Sequence, residues 1–143
     1  MARYVTTIAS TLSPVEAFAY MADFSNALHW DPSVVAASMT SAGAVSAGSL
    51  FELVVKFGGR ELPLRYEIVS FDEPRSFVVE SLHERFTSRD TVTVAPAGPG
   101  STVHYDAVLA FKGASRLLDP LMQLLFNRTG GKAAAGMRAA LNP

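Results

Sequence analysis

His83 opens the turn "HER" at the end of "SFVVESLH", and Asp90 follows within "SRDTVTVA". Tyr66 and Tyr105 lie in comparable runs, "LRYEIVSF" and "STVHYDAVLAF". An imidazole beside a carboxylate can relay a proton during enolisation or loss of water, and phenol hydroxyls can donate to the oxyanion that forms. His83, Asp90 and Tyr105 are therefore the candidate catalytic groups. A structural reading competes: His83 can sit at the rim of its turn, and Asp90 can pair with Arg85 or accept a backbone amide. Perturbed pairs of this sort are often structural.

"ALHWDP", residues 27 to 32, carries the only tryptophan. Trp30 brings a large apolar ring with one N–H, suited to a lid or wall. Asp31 before Pro32 suits a turn in which its carboxylate accepts local amides. Other chemistries fall away. The chain has no cysteine, which removes disulfides, thiolate metal sites and thiol nucleophiles. His29, His83 and His104 lack metal-ligand spacing, so no metal is expected. "TGGK" lacks the first glycine of a phosphate loop, since Phe126 occupies that place. Neither a dinucleotide fingerprint nor a nucleophile elbow is present, and no cofactor is expected.

The elements that must position these residues are legible from periodicity. Residues 3–10 alternate polar and apolar as a strand does. In "SPVE", Ser13 caps a helix to Ala22, Pro14 takes its first position and Glu16 completes a capping box. "DFSNALHW" holds a second short helix, stopped by Pro32. Six further strands follow, at about 34–41, 49–57, 61–71, 76–83, 86–95 and 101–111, joined by short turns as an antiparallel meander. The last thirty or so residues read as one long helix, with Leu117, Leu118, Leu121, Leu124, Leu125, Met137 and Leu141 on its apolar stripe. Gly130 and Gly131 mark either close approach to another backbone or a break.

Alternation assigns the inner face of the sheet. Phe51, Leu53, Val55 and Phe57 point inward together. So do Tyr66, then Val79 with Ser81 and His83, then Ser88 and Asp90 with Val92, and Tyr105. Leu121, Leu125 and Arg128 are expected to join them from the helix. Arg89 and Asp106 point outward and are expected to form a surface pair. A twisted sheet with a single long helix must curl around it, and the two surfaces diverge to leave a gap suited to a small apolar ligand.

Strand, two short helices, six strands and "FKG…RLLDPLMQLL" leading into a final helix resemble the polyketide cyclase/dehydrase-like branch of the START and pollen-allergen-related superfamily, over nearly the whole chain. The resemblance implies an α+β helix-grip fold, a single domain over residues 1–143, and activities that range from cyclases and dehydratases to lipid and quinone carriers. The inner face, rich in Phe, Leu, Val and Tyr, points to a binding or carrier protein for a small hydrophobic molecule. An aromatase/cyclase or dehydratase using the same cavity is the alternative, and an interaction module using the basic last helix is a third.

Bulk properties agree. The 143 residues, 49% hydrophobic and 17% charged, suffice for one well-filled core. A net charge of −1 opposes general nucleic-acid binding. From Lys112 onward there are five basic residues against one acid. No run approaches the length of about 18 apolar residues that spans a bilayer, and the start lacks a signal-peptide pattern. A cytoplasmic monomer or homodimer is the expectation.

Overall fold

Alternating side chains fit the pleat of an extended backbone, and a computed structural model describing residues 1–143 turns each alternating run into a strand of one antiparallel sheet. The strands are β1 (Ala2–Ser10), β2 (Val34–Met39), β3 (Leu50–Phe57), β4 (Arg60–Asp72), β5 (Ser76–Leu82), β6 (Phe86–Ala97) and β7 (Gly100–Phe111). They lie in the order β1-β7-β6-β5-β4-β3-β2. Register shifts between Val34 and Ala36 and between Ile68 and Ser70 insert bulges. Bulges bend their strands and increase the twist, which helps the sheet to curl.

Helix α1 (Pro14–Ala22) starts where its capping sequence predicts. The Ser13 hydroxyl accepts the Glu16 N–H at 3.2 Å and donates to the Glu16 carboxylate at 2.8 Å. A 3-10 turn at Phe24–Asn26 leads into α2 (Ala27–Trp30), and the chain becomes extended at Asp31, as Pro32 requires. After β7 comes a second 3-10 turn, Gly113–Leu118, and then α3 (Asp119–Ala140), with Pro120 in its first turn.

The phase of α3 differs from the expected leucine stripe. The helix runs unbroken through Gly130 and Gly131. A Cβ on Gly130 would lie 2.4 Å from the Tyr4 ring, and one on Gly136 would lie 2.0 Å from the Trp30 carbonyl oxygen, whereas Gly131 faces open space. Close approach at Gly130 and Gly136 fixes the inner face as Met122, Phe126, Ala133, Met137 and Leu141. Helical periodicity then sends Leu121 and Leu124 to solvent, along with Leu117 and Leu118 of the 3-10 turn.

The molecule has two unlike ends. At the closed end, Phe18 of α1 meets the edges of Phe71 and Phe77 at 5.3 and 5.6 Å, amid fully buried Ile8, Met21, Ile68 and Val103. At the open end lie the β3–β4 and β5–β6 turns, the exit of β7 and the first half of α3. No helix is long and apolar enough to cross a membrane.

Candidate functional site

Between the open end of the sheet and α3 lies a cavity of about 140 Å³. Leu53, Val55 and Phe57 of β3 form one wall, and Leu62, Leu64 and Tyr66 of β4 continue it. Phe86 and Ser88 of β6, then Leu109 and Phe111 of β7, form the opposite side. Phe126, Gly130 and Met137 close it from the helix, with Tyr4 of β1 beside them. Trp30 lines the inner part, meeting Tyr105 edge-on at 5.5 Å and Phe24 at 6.2 Å. Its Nε1 is buried without a hydrogen-bond partner.

A small polar group interrupts these walls. The Tyr105 hydroxyl donates to Asp90 Oδ2 at 2.5 Å, and the Tyr66 hydroxyl and Ser88 Oγ share a hydrogen bond of 3.0 Å. Asp31 also faces the cavity, and its carboxylate accepts from the Ser33 N–H at 2.9 Å and the Ser33 hydroxyl at 2.7 Å. Burial raises the Asp31 pKa. Burial pushes Asp90 up to about 7, against the opposing pull of the Tyr105 hydrogen bond. Tyr66 and Tyr105 are raised as well, first by burial and then by the nearby Asp90 charge. Near neutral pH the Asp90 carboxyl therefore exists in both protonation states, able to give or take a proton inside an apolar chamber.

The structure brings together Trp30, Leu53, Val55, Phe57, Tyr66, Ser88, Asp90 and Tyr105 of the sequence-derived set. It does not bring His83 to them. Strand β5 ends at Leu82, so alternation no longer governs the next residue. The His83 ring stacks on Phe86 at 4.5 Å, its Nδ1 accepts the Arg85 N–H, and its carbonyl accepts from Lys112. Asp90 thus has a tyrosine partner where Arg85 or a backbone amide was expected. Phe51, Val79, Ser81 and Val92 do point inward, but they are buried off the cavity wall. Leu121 and Arg128 are exposed, and Leu125 is half-buried off the wall, because of the rotation of α3 described above.

The expected Arg89–Asp106 pair is replaced by two others. Register places Arg89 opposite Glu80, to which it bonds at 2.8 Å. Asp106 instead takes both nitrogens of Arg3, at 2.9 and 2.7 Å. Sequence reasoning did not single out Tyr4, Asp31, Phe86 or Phe126 for the site. Gly130 was the available signal for Phe126, one helical turn earlier on the same face. No three His, Cys, Asp or Glu side chains gather to hold a metal ion.

A family model described as "Polyketide cyclase / dehydrase and lipid transport" matches residues 1–142. Among solved structures, a START superfamily protein from Mycobacterium smegmatis superposes with a TM-score of 0.80 at 14% identity, covering 99% of this chain and 97% of that one. The Zhui aromatase/cyclase from Streptomyces sp. R1128 gives 0.78 at 8% identity, over 97% and 92%. A major latex-like protein from Panax ginseng gives 0.72 at 15% identity, over 99% and 98%. At such identities these likenesses establish the helix-grip fold alone. No curated protein matches the sequence.

Proposed function

The chain belongs to the polyketide cyclase/dehydrase and lipid transport family, and from that premise we propose that it binds or carries a small hydrophobic molecule between its sheet and α3. The carrying observation is the cavity itself, walled mostly by aliphatic and aromatic side chains, with a hydrogen-bonded polar cluster around Asp90, Tyr66 and Asp31. Its volume, about 140 Å³, narrows the guest. An apolar protein cavity of roughly 150 Å³ takes up benzene, whereas drug-sized sites start at roughly 300 Å³. The guest is therefore ring-sized, such as the ring of a quinone or one unit of an aromatic polyketide. Its carbonyl or hydroxyl would meet Asp90 or Tyr66. A long acyl chain would have to trail through the mouth.

Native mass spectrometry of protein purified without detergent is expected to show a co-purifying apolar molecule. Naphthol binding, followed by calorimetry, is expected in the emptied protein and not in Ala107→Phe, since Ala107 lines the cavity from β7 and a ring there would fill it. Protein that purifies empty and ignores naphthol would rule the carrier reading out.

The Asp90–Tyr105 couple favours a second reading, a cofactor-free cyclase or dehydratase acting without His83. In that case Asp90→Asn and Tyr105→Phe retain ligand binding and abolish conversion of a poly-β-ketone substrate. Conversion by the parent protein would follow the titration of Asp90 near pH 7. Undiminished conversion by Asp90→Asn would end it.

A further inference from the structure

The leucines that α3 turns away from the core collect at the open end. Leu117 is 85% exposed, Leu124 62% and Leu121 53%. Leu118 lies between them, while Leu82 at the end of β5 and Phe57 at the end of β3 are also exposed at this end. Exposed apolar side chains are ordinary when scattered, but a cluster at a cavity mouth marks a contact surface. The same end carries Lys56, Arg60, Arg85, Lys112 and Arg116, all exposed. None of these five is in an ion pair; the side-chain cations that do pair are Arg3, Arg65, Arg75 and Arg89. Acids there are few. Glu61 and Glu84 are exposed, and Asp119 is held by the amino terminus.

We propose that this end docks on an anionic lipid bilayer, with the leucines of the 3-10 turn and early α3 entering the headgroup layer and the surrounding cations meeting lipid phosphates. Apolar anchors ringed by Lys and Arg are the physical signature of an interfacial contact, in which burial and charge attraction add. Charge decides against a second copy of the chain, because a symmetric pair would press two unpaired basic clusters together. Phe57 both lines the cavity and reaches the surface, so docking in this orientation sets the cavity mouth against the lipid.

Flotation with phosphatidylcholine vesicles, with and without phosphatidylglycerol, tests it. Binding is expected only when phosphatidylglycerol is present, and it should weaken as salt rises. The double variant Leu121→Glu/Leu124→Glu is expected to bind about a hundredfold more weakly. Lys112→Glu/Arg116→Glu should lose at least about tenfold and flatten the salt dependence. Both pairs are surface changes, so thermal melting should be nearly unmoved. Arg116→Glu alone keeps the test open should either pair fold poorly. The proposal is overturned if the parent protein ignores phosphatidylglycerol vesicles at low salt or if the leucine variant binds as well as the parent. A concentration-dependent dimer that the leucine variant dissolves also overturns it, in favour of self-association.

Discussion

The closed end and the open end use the same residue types for opposite purposes. At the closed end, Phe18, Phe71 and Phe77 interlock edge to face, and Ile8 and Val103 fill what remains. At the open end, Phe57, Phe86, Phe111 and Phe126 stand around a void. Helix α3 crosses both regimes. Its second half lies against Trp30 with a glycine at the contact, while its first half exposes leucines. Packing density, and not composition, separates the part that holds the fold from the part that can receive a guest.

Truncating one phenylalanine at each end should break or sharpen this contrast most clearly. Phe77→Ala is expected to cost about 4 kcal/mol, because its fully buried site cannot collapse, whereas Phe126→Ala, already beside a void, should cost about 1–2 kcal/mol. Urea denaturation reads both, and equal losses would erase the distinction. Comparable in size is the effect at Asp90, at the boundary between the two regimes. Its carboxyl titrates near 7 in the folded protein against an ordinary 3.8, so the native state holds a proton that the unfolded chain has released. Stability from this group is full below about pH 4 and falls as pH rises toward and through 7. Asp90→Asn should therefore nearly match the parent at pH 4 and exceed it on the order of 4 kcal/mol at pH 8. A difference that stays flat with pH would place Asp90 in water.

The glycines of α3 supply a smaller effect with opposite signs. Gly136→Ala drives a Cβ into the Trp30 carbonyl and should cost about 2 kcal/mol. Gly131→Ala meets nothing and should gain about 0.5–1 kcal/mol through helix propensity. Thermal melting would report both, and a gain at Gly136 would mean that the helix can shift off α2. Smallest is Leu124→Gln, expected to stay within about 0.5 kcal/mol of the parent because the side chain is already in solvent. A loss well beyond that would show the early helix to be packed.

How much of this was legible in the sequence follows the same division. Period-two patterning names a face, and in "LRYEI" it works: Leu64, Tyr66 and Ile68 are buried while Arg65 and Glu67 are exposed. It cannot say how far along a strand the core ends and the void begins, since both press on apolar side chains alike. Hence Phe51 and Val92, read as cavity residues, belong to the packed interior, while Leu53 and Ser88 on the same strands face the void. His83 escaped the pattern by lying one residue beyond its strand. In α3 the leucines misled because two glycines, which carry no hydropathy signal, set the rotation of the helix.

Trp30 is the chain's only tryptophan, and it forms part of the cavity wall. Its ultraviolet emission therefore comes from a single known spot. A ring arriving beside that indole changes the colour and brightness of the emitted light with no dye attached. The protein carries its own optical gauge of occupancy.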